Sequence, residues 1–279
     1  MRQKWSQVFL IDEKAVSRIV SEAGINPGDS VLEIGPGRGI LTYRLARVAG
    51  KLAAVEIDGE LCRKLSAGLQ KRENVSIING DFLEIDLNGL IKGLVQEKKT
   101  LKIISNLPYG SATPIIMKIL SLPAGLRQFE CVFMLQEEVA QRVCAVPGGK
   151  EYGNLTVAVQ YRAKAEYLFG VPRGAFSPVP EVDSAVVKLT PLKKPAVRAE
   201  NEEFFFRLVK VAFMHRRKKI HNSVCSLFSL DLSEVRSIIE AAGIAVDLRP
   251  ENLSMKQFAE LADRFYEKGN ILAGSRKGK

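Results

Sequence analysis

The chain has 279 residues, of which 46% are apolar and 26% are charged, so it can bury one large core, or a large core beside a smaller one. Its 41 Lys and Arg exceed its 31 Asp and Glu, and the formal charge of +10 favours polyanionic partners. Nucleic acid is the leading candidate, and a basic surface that only aids solubility is the alternative. No window approaches the roughly 18 uninterrupted apolar residues of a membrane span.

The cysteines and the N-terminus indicate the compartment. Cys62, Cys131, Cys144 and Cys225 show no Cys-x-x-Cys spacing and mostly lie in apolar runs, where a thiol behaves as a small hydrophobic group. The first residues lack the apolar stretch of a signal peptide. We therefore expect a cytoplasmic protein with no membrane partner. We also expect a monomer without a metal site.

The first half of the chain has the pattern of a parallel sheet with crossover helices. Short apolar runs bounded by Gly, Asn or Asp alternate there with longer amphipathic stretches. The predicted strands are residues 31–34, 52–56, 75–78, 101–105 and 131–135, and the predicted helices between them are residues 40–49 and 61–70. Two later runs, residues 167–171 and 184–190, flank a proline-rich loop, and we expect them to complete the sheet as an antiparallel pair.

A change in composition marks a domain boundary. Pro191-Leu192-Lys193-Lys194-Pro195 interrupts regular structure with two prolines and two lysines. Beyond it, residues 203–213, 232–242 and 255–265 have helical periodicity. The predicted domains are therefore residues 1–192 and a helical domain of residues 196–279.

A glycine-rich turn follows the first strand of this pattern. Gly35-Pro36-Gly37-Arg38-Gly39 connects the buried run Val31-Leu32-Glu33-Ile34 to a helix. Such a turn lets the backbone approach a ligand, and the free N–H groups at the helix start favour an anionic group. The spacing is not the G-x-G-x-x-G of dinucleotide sites, so a nucleoside that bears a carboxylate fits better than a pyrophosphate.

Two acidic residues end the next two strands. Glu56 follows Gly35 by 21 positions, where a carboxylate can accept from ribose hydroxyls, and Asp81 can accept from the adenine amine of the same ligand. Each acid alone could equally cap a helix. Together with the glycine turn they favour a shared site, because ligands of open α/β sheets bind at the carboxyl ends of the strands.

The fourth strand ends in Asn106-Leu107-Pro108-Tyr109, a pattern suited to chemistry on an aromatic amine. If the Asn106 side-chain oxygen and the Leu107 carbonyl accept the two amine hydrogens, the nitrogen lone pair is freed from the ring. Pro108 would keep the turn rigid, and Tyr109 would stack on the base and face a cationic donor. The alternative is a strand end that a proline terminates.

Five motifs together resemble the KsgA/RsmA ribosomal RNA adenine dimethyltransferases over roughly residues 4 to 265. Besides the glycine turn and Asn106-Leu107-Pro108-Tyr109, they are Gln7-Val8-Phe9-Leu10, Phe176-Ser177-Pro178-Val179-Pro180-Glu181-Val182-Asp183-Ser184 and Phe213-Met214-His215-Arg216-Arg217-Lys218. The resemblance implies a Rossmann-like, seven-stranded methyltransferase fold with a smaller all-α C-terminal domain. It also implies dimethylation of two adjacent adenosines in the 3′-terminal hairpin of 16S rRNA, with S-adenosylmethionine as the methyl donor.

The resemblance also implies which residues form the site. Cofactor contacts are expected from Leu10, Gly35, Glu56, Asp81 and Asn106, and the predicted cofactor site further includes Val8, Gly37, Ile57 and Phe82. Residues 106–109 are expected to line the catalytic site. The family usually has Asn or His at position 8, where this chain has Val8, so a polar side-chain contact to the cofactor is missing and a backbone contact is the alternative. Ser6 also replaces the usual glycine.

Phe176 lies in the proline-rich loop, where we expect it to close over a flipped adenine opposite Tyr109. The alternative is a hydrophobic plug on an extended linker.

Arg216-Arg217-Lys218-Lys219 follows a predicted apolar helix, and we expect it to bind RNA phosphates, whereas the alternative is a solvated face. Residues 200–279 contain 14 Lys and Arg and 11 Asp and Glu, a net charge of +3. The first 199 residues therefore carry the other +7, so RNA contact is expected from both domains. His215 and His221 flank this cluster, far in sequence from the predicted site, and a histidine general base is not indicated.

Other functions remain open at this stage. An adenine methyltransferase of large-subunit rRNA, of the macrolide-resistance type, shares the fold, but Leu107, the 176–184 loop and the basic run favour the small-subunit enzyme. A DNA adenine methyltransferase would need a target-recognition domain for which little chain remains. A non-catalytic ribosome-assembly factor is disfavoured by the intact Glu56, Asp81 and Asn106.

Overall fold

The computed structural model describes residues 8–95, 100–227 and 230–276. Its contacts divide the chain into two units, Met1–Cys144 with Ala163–Lys194, and Ala145–Arg162 with Pro195–Lys279. The chain passes between the units three times, and the third passage, between Lys194 and Pro195, lies within the predicted boundary segment of residues 191–195. Residues 145–162, which the sequence analysis assigned to the first domain, belong to the second unit, because Val157 and Tyr161 pack in its core beside Phe205.

The first unit contains nine strands and six helices among its described residues. The strands are β1 Phe9–Leu10, β2 Ser30–Ile34, β3 Lys51–Glu56, β4 Val75–Asn79, β5 Leu101–Asn106, β6 Phe129–Gln136, β7 Ala163–Val171, β8 Phe176–Ser177 and β9 Ser184–Pro191. The helices are α1 Glu13–Ala23, α2 Ile40–Val48, α3 Gly59–Leu69, α4 Leu87–Leu94, α5 Ala112–Leu120 and α6 Glu137–Cys144.

Seven strands form one sheet in the order β4-β3-β2-β5-β6-β9-β7. The first five in this order are parallel, and β9 is antiparallel to both β6 and β7. Both the predicted parallel sheet and the predicted antiparallel pair are therefore confirmed. All residues of β2 are buried, as is typical of a parallel strand covered on both faces. The carboxyl ends of β2, β3, β4 and β5 consequently lie at one edge of the sheet.

A separate two-stranded sheet joins the N-terminal segment to the proline-rich loop. Phe9 of β1 pairs with Ser177 of β8, and Leu10 pairs with Phe176. The Ile11 N–H extends this pairing by donating to the Ala175 carbonyl at 2.8 Å. Ser6 and Gln7 of the N-terminal motif lie outside the described residues.

The second unit consists of helices among its described residues. They are α7 Asn154–Gln160, α8 Glu202–Met214, α9 Ile220–Val224, α10 Leu232–Ala241 and α11 Met255–Arg276. Its core is rich in aromatic side chains, including Tyr152, Phe205, Phe258 and Phe265. The predicted α/β fold with a smaller all-α C-terminal domain is confirmed. In the part of the chain that the structure describes, no helix combines the length and the apolar character of a membrane span.

Candidate active site

The glycine-rich turn between β2 and α2 has the backbone geometry that a bound ligand requires. Gly35, Gly37 and Gly39 have φ angles of +64°, +58° and +86°. An L-residue costs roughly 1–2 kcal/mol in this left-handed region, so the sequence places residues without a Cβ there. Among the described residues, no side chain caps the first N–H groups of α2. These groups are therefore oriented to bind an anionic group such as a carboxylate.

The Glu56 carboxylate connects this turn to the end of β3. It is only 3% exposed and accepts the Gly37 N–H at Oε2 and the Asp58 N–H at Oε1, both at 2.9 Å. A carboxylate offers about four acceptor positions, so both oxygens can still accept from a ligand hydroxyl. Glu56 is thus fixed in orientation beside the glycine-rich turn. The neighbouring Ile57 is 43% exposed and offers an apolar surface beside it.

Asp81 follows β4 at the same edge of the sheet. Its Oδ1 accepts the Leu83 N–H at 2.8 Å, which closes a turn and does not cap a helix, since α4 begins at Leu87 with Asp86 as its N-cap. The turn around it is fixed by the Lys118 ammonium, which donates to the carbonyls of Leu83 and Ile85 at 2.6 and 2.8 Å. Phe82 is buried in this turn. Asp81 is therefore held in place near the carboxyl ends of the parallel strands.

The turn after β5 carries Asn106 to Tyr109. Leu107 is buried and its N–H donates to the Met134 carbonyl at 3.1 Å, which extends the pairing of β5 with β6. Asn106 and Tyr109 are half-buried and Pro108 is exposed. The Tyr109 hydroxyl lies 3.0 Å from the Ser184 hydroxyl at the start of β9. The four residues thus form an ordered turn with an accessible side.

The glycine-rich turn and the turn after β5 lie next to each other. A Cβ on Gly35 would stand 3.6 Å from Pro108 Cγ, which is ordinary van der Waals contact. The Ser105 hydroxyl also donates to the Ile34 carbonyl, which connects β5 to β2 just before both turns. A ligand bound by one turn therefore lies beside a group bound by the other.

The N-terminal segment covers the glycine turn from the other side. The Phe9 ring lies so close to Gly37 that an added Cβ would meet Phe9 Cδ1 at 3.1 Å. The Arg38 guanidinium stacks on the same ring, 4.2 Å from its centroid. The sequence analysis placed Phe9 in a motif but not in the site. Its position next to Val8 and Leu10, both predicted to touch the cofactor, is the signal that could have identified it.

Glu33 is a buried carboxyl two residues before Gly35, and the sequence analysis gave it no role. It is 2% exposed, and its Oε2 has no hydrogen-bond partner within the described ranges. Burial raises the pKa of Glu33 to about 8; the nearby Thr42 hydroxyl opposes this rise, and the Glu56 carboxylate adds to it. The sequence could have indicated this buried carboxyl, because Glu33 is the acidic residue of an otherwise apolar strand.

The structure places Phe176 and Leu10 differently from the expectation for ligand-contacting side chains. Phe176 is 1% exposed, and both side chains pack in the core of the first unit because they pair in the β1–β8 sheet. Val8 is half-buried against the same core. The buried ring fits the alternative of a hydrophobic plug, and stacking of Phe176 on a flipped adenine stays a prediction.

The four residues of the basic cluster, Arg216 to Lys219, belong to the turn between α8 and α9 and have different environments. Arg216 donates to Glu251 at 2.6 Å and to the Lys150 carbonyl, and Lys219 pairs with Asp247 at 2.8 Å. Arg217 and Lys218 are exposed. No ion pair of either is found among the residues that the structure describes. Only two of the four predicted cations are thus available as unpaired charges.

Both histidines belong to the second unit, whereas the turns described above belong to the first. His221 is buried, with Nδ1 2.8 Å from the Val246 carbonyl. Over the described residues, no three His, Cys, Asp or Glu side chains group in a way that suits a metal ion.

A seven-stranded sheet with an antiparallel β9, and a glycine turn followed by acidic strand ends, define an α/β enzyme of the methyltransferase class. The chain belongs to the ribosomal RNA adenine dimethylase family, whose family model matches residues 1–267. The family predicted from the five motifs is thereby confirmed.

Relatives and solved structures agree with this membership. The chain is 43% identical over 265 residues to ribosomal RNA small subunit methyltransferase A of Moorella thermoacetica, covering 94% of this chain and 91% of that protein. It superposes on a dimethyladenosine transferase from Plasmodium falciparum with a TM-score of 0.76 and 26% identity, covering 94% and 98% of the two chains. The 23S rRNA methyltransferase ErmE gives a TM-score of 0.67 and 26% identity, covering 92% and 98%.

Proposed function

We propose that this protein transfers methyl groups from S-adenosylmethionine to N6 of two adjacent adenosines in the 3′-terminal hairpin of 16S rRNA during maturation of the small ribosomal subunit. The closeness of Gly35 to Pro108, whose Cγ would lie 3.6 Å from a Cβ added to Gly35, carries the proposal, because it brings a turn suited to a nucleoside next to a turn suited to an aromatic amine. The large-subunit alternative is not favoured, because relatives at 40–43% identity are named small-subunit methyltransferases.

The residues at the carboxyl edge fit S-adenosylmethionine. The first N–H groups of α2 suit its carboxylate, the fixed Glu56 carboxylate suits its ribose hydroxyls, and Asp81 suits its adenine amine. Ile57 and Phe82 would flank the adenine, and Gly35 and Gly37 allow close approach of the backbone. Val8 and Leu10 would contribute backbone contacts only. When bound, the cofactor supplies a methyl group on a cationic sulfur.

The turn after β5 prepares the acceptor nitrogen. Asn106 Oδ1 and the Leu107 carbonyl accept the two hydrogens of the adenosine amine, which localises its lone pair for attack. Pro108 keeps these acceptors in place, and the Tyr109 ring stacks on the base and faces the cationic donor. The methylated amine is acidic enough to lose its proton to water, so this step requires no basic side chain.

The function is tested by following labelled methyl from S-adenosylmethionine into unmethylated small ribosomal subunits and mapping the modified nucleotides. Wild type is expected to dimethylate two adjacent adenosines near the 3′ end of 16S rRNA. Labelling found only in 23S rRNA would replace the proposal with the large-subunit activity, and no labelling of either RNA would favour a non-catalytic assembly factor.

Asn106→Ala should retain cofactor affinity and lose roughly 10²–10³ in the single-turnover rate, the usual effect of removing one preorganised polar group that stabilises developing charge. The rate is measured with cofactor and RNA both saturating. A rate within a few-fold of wild type would reject the role of Asn106 as an acceptor of the amine hydrogens.

RNA affinity is proposed to depend on the exposed pair Arg217 and Lys218, whereas the ion-paired Arg216 and Lys219 mainly hold the turn. Arg217→Ser/Lys218→Ser should flatten the slope of log affinity against log salt by roughly one to two units, because each lost phosphate contact removes about 0.7–0.9. Lys210→Ser/Lys256→Ser removes the same charge from exposed positions of the same unit and serves as the control. Equal slopes for the two variants would show that the cluster has no specific RNA contact.

A further inference from the structure

The Tyr109 side chain is held by one hydrogen bond at the far end of its ring. The residues on either side of it, Pro108 and Gly110, are exposed. A tyrosine on an exposed turn has several rotamers available unless a contact selects one. The Ser184 hydroxyl, 3.0 Å from the Tyr109 hydroxyl, supplies that contact.

Ser184 is itself fixed in the sheet. It is 0% exposed and begins β9, where it pairs with Gln136 of β6 on one side and with Val171 of β7 on the other. Two contacts of the preceding residue hold the entry to the strand. The Asp183 carbonyl accepts the Glu137 N–H at 3.0 Å, and its carboxylate accepts the Arg173 N–H at 2.8 Å. The serine hydroxyl therefore lies at a point with little freedom to move.

We propose that Ser184 is a positioning residue for methyl transfer, which holds the Tyr109 ring at the angle needed to stack on the acceptor base. This proposal rests on the function given above, since it assigns a partner to the ring that receives the base. Ser184 does not touch the reacting atoms and acts only through Tyr109. The proposal requires only the hydrogen bond between the Ser184 and Tyr109 hydroxyls.

A double-mutant cycle in the full-length protein tests the proposal. Ser184→Ala should lower the single-turnover rate roughly 2- to 10-fold, the effect of losing one net hydrogen bond, with cofactor affinity unchanged. Tyr109→Phe keeps the ring and removes the other partner, so it should lower the rate by a similar factor. The double variant should be no slower than the slower single variant, because both substitutions remove the same hydrogen bond.

Ser30→Ala is the matched control for folding. Ser30 is also a buried serine of the sheet, and its hydroxyl donates to the Leu94 carbonyl at 2.7 Å, at the opposite end of β2 from the cofactor turn. It should lower the melting temperature as Ser184→Ala does while leaving the rate at the wild-type value.

Two results would overturn the positioning role: an unchanged rate in Ser184→Ala, or losses that multiply in the double variant. An inactive wild type would instead remove the proposed function, so the two failures are distinguishable.

Discussion

Ionisation of Glu33 should make the free energy of unfolding depend on pH. Its pKa is raised from 4.5 to about 8, first by burial and then by Glu56. Below pH 4.5 the carboxyl is protonated in both folded and unfolded chains, so its ionisation does not lower the free energy of unfolding. Between pH 4.5 and 8 only the folded chain keeps the proton, so the free energy of unfolding falls by about 1.4 kcal/mol per pH unit. Above pH 8 both states are ionised and the loss is complete.

Glu33→Gln keeps the size of this side chain and removes its ionisation. Between pH 5 and 7.5 the free energy of unfolding of wild type should therefore fall relative to Glu33→Gln by about 3 kcal/mol, most of 2.5 pH units at about 1.4 kcal/mol each. Urea unfolding followed by far-ultraviolet circular dichroism at several pH values measures the difference, in which other titrating groups cancel.

Glu60→Gln is the control, because Glu60 is exposed on α3 and paired with Lys64. Its unfolding free energy should follow that of wild type across the pH range. If the curves of Glu33→Gln and wild type are also parallel, the Glu33 carboxyl is not held in its protonated form, and burial does not dominate its titration.

Two further predictions concern the cofactor turn. Glu56→Ala should weaken S-adenosylmethionine binding in calorimetry, since the ribose would lose two charge-assisted hydrogen bonds of about 1.5–3 kcal/mol each before water compensates; unchanged affinity would remove Glu56 from the site. Gly37→Ala should lower stability and cofactor affinity more than Gly24→Ala, because both positions have positive φ but only the Cβ at 37 would meet Phe9. Equal losses of stability, measured by thermal melting, would show that the Phe9 contact adds nothing to the backbone strain of about 1–2 kcal/mol.

Strands β2, β3, β5 and β6 could be predicted from the sequence because they are nearly continuous buried runs bounded by turn residues. The prediction for residues 52–56 differs from β3 by one residue, and that for residues 131–135 lies within β6. The ligand edge followed from the same pattern, since Glu56 and Asn106 end parallel strands. Local patterning was sufficient wherever a strand is covered on both faces.

Features set by contacts between distant segments could not be predicted. Strands β1 and β8 have two residues each, too few to show a period, so the burial of Phe176 depends on a pairing that no local signal reports. Residues 145–162 join the second unit through apolar residues that would suit either core. In the basic cluster, sequence alone could not distinguish the ion-paired Arg216 from the exposed Arg217.

The segment from Arg173 to Ser184 makes contacts to both halves of the proposed site. At one end, β8 pairs with β1 and so holds Phe9 over Gly37 of the cofactor turn. At the other end, the Ser184 hydroxyl lies 3.0 Å from the hydroxyl of Tyr109 in the turn after β5. Asp183 fixes the segment between them by accepting the Arg173 N–H. The role that we propose for the proline-rich motif is to position other residues. A shift of this segment would move both Phe9, which lies over the glycine-rich turn, and Tyr109, whose ring is proposed to stack on the base.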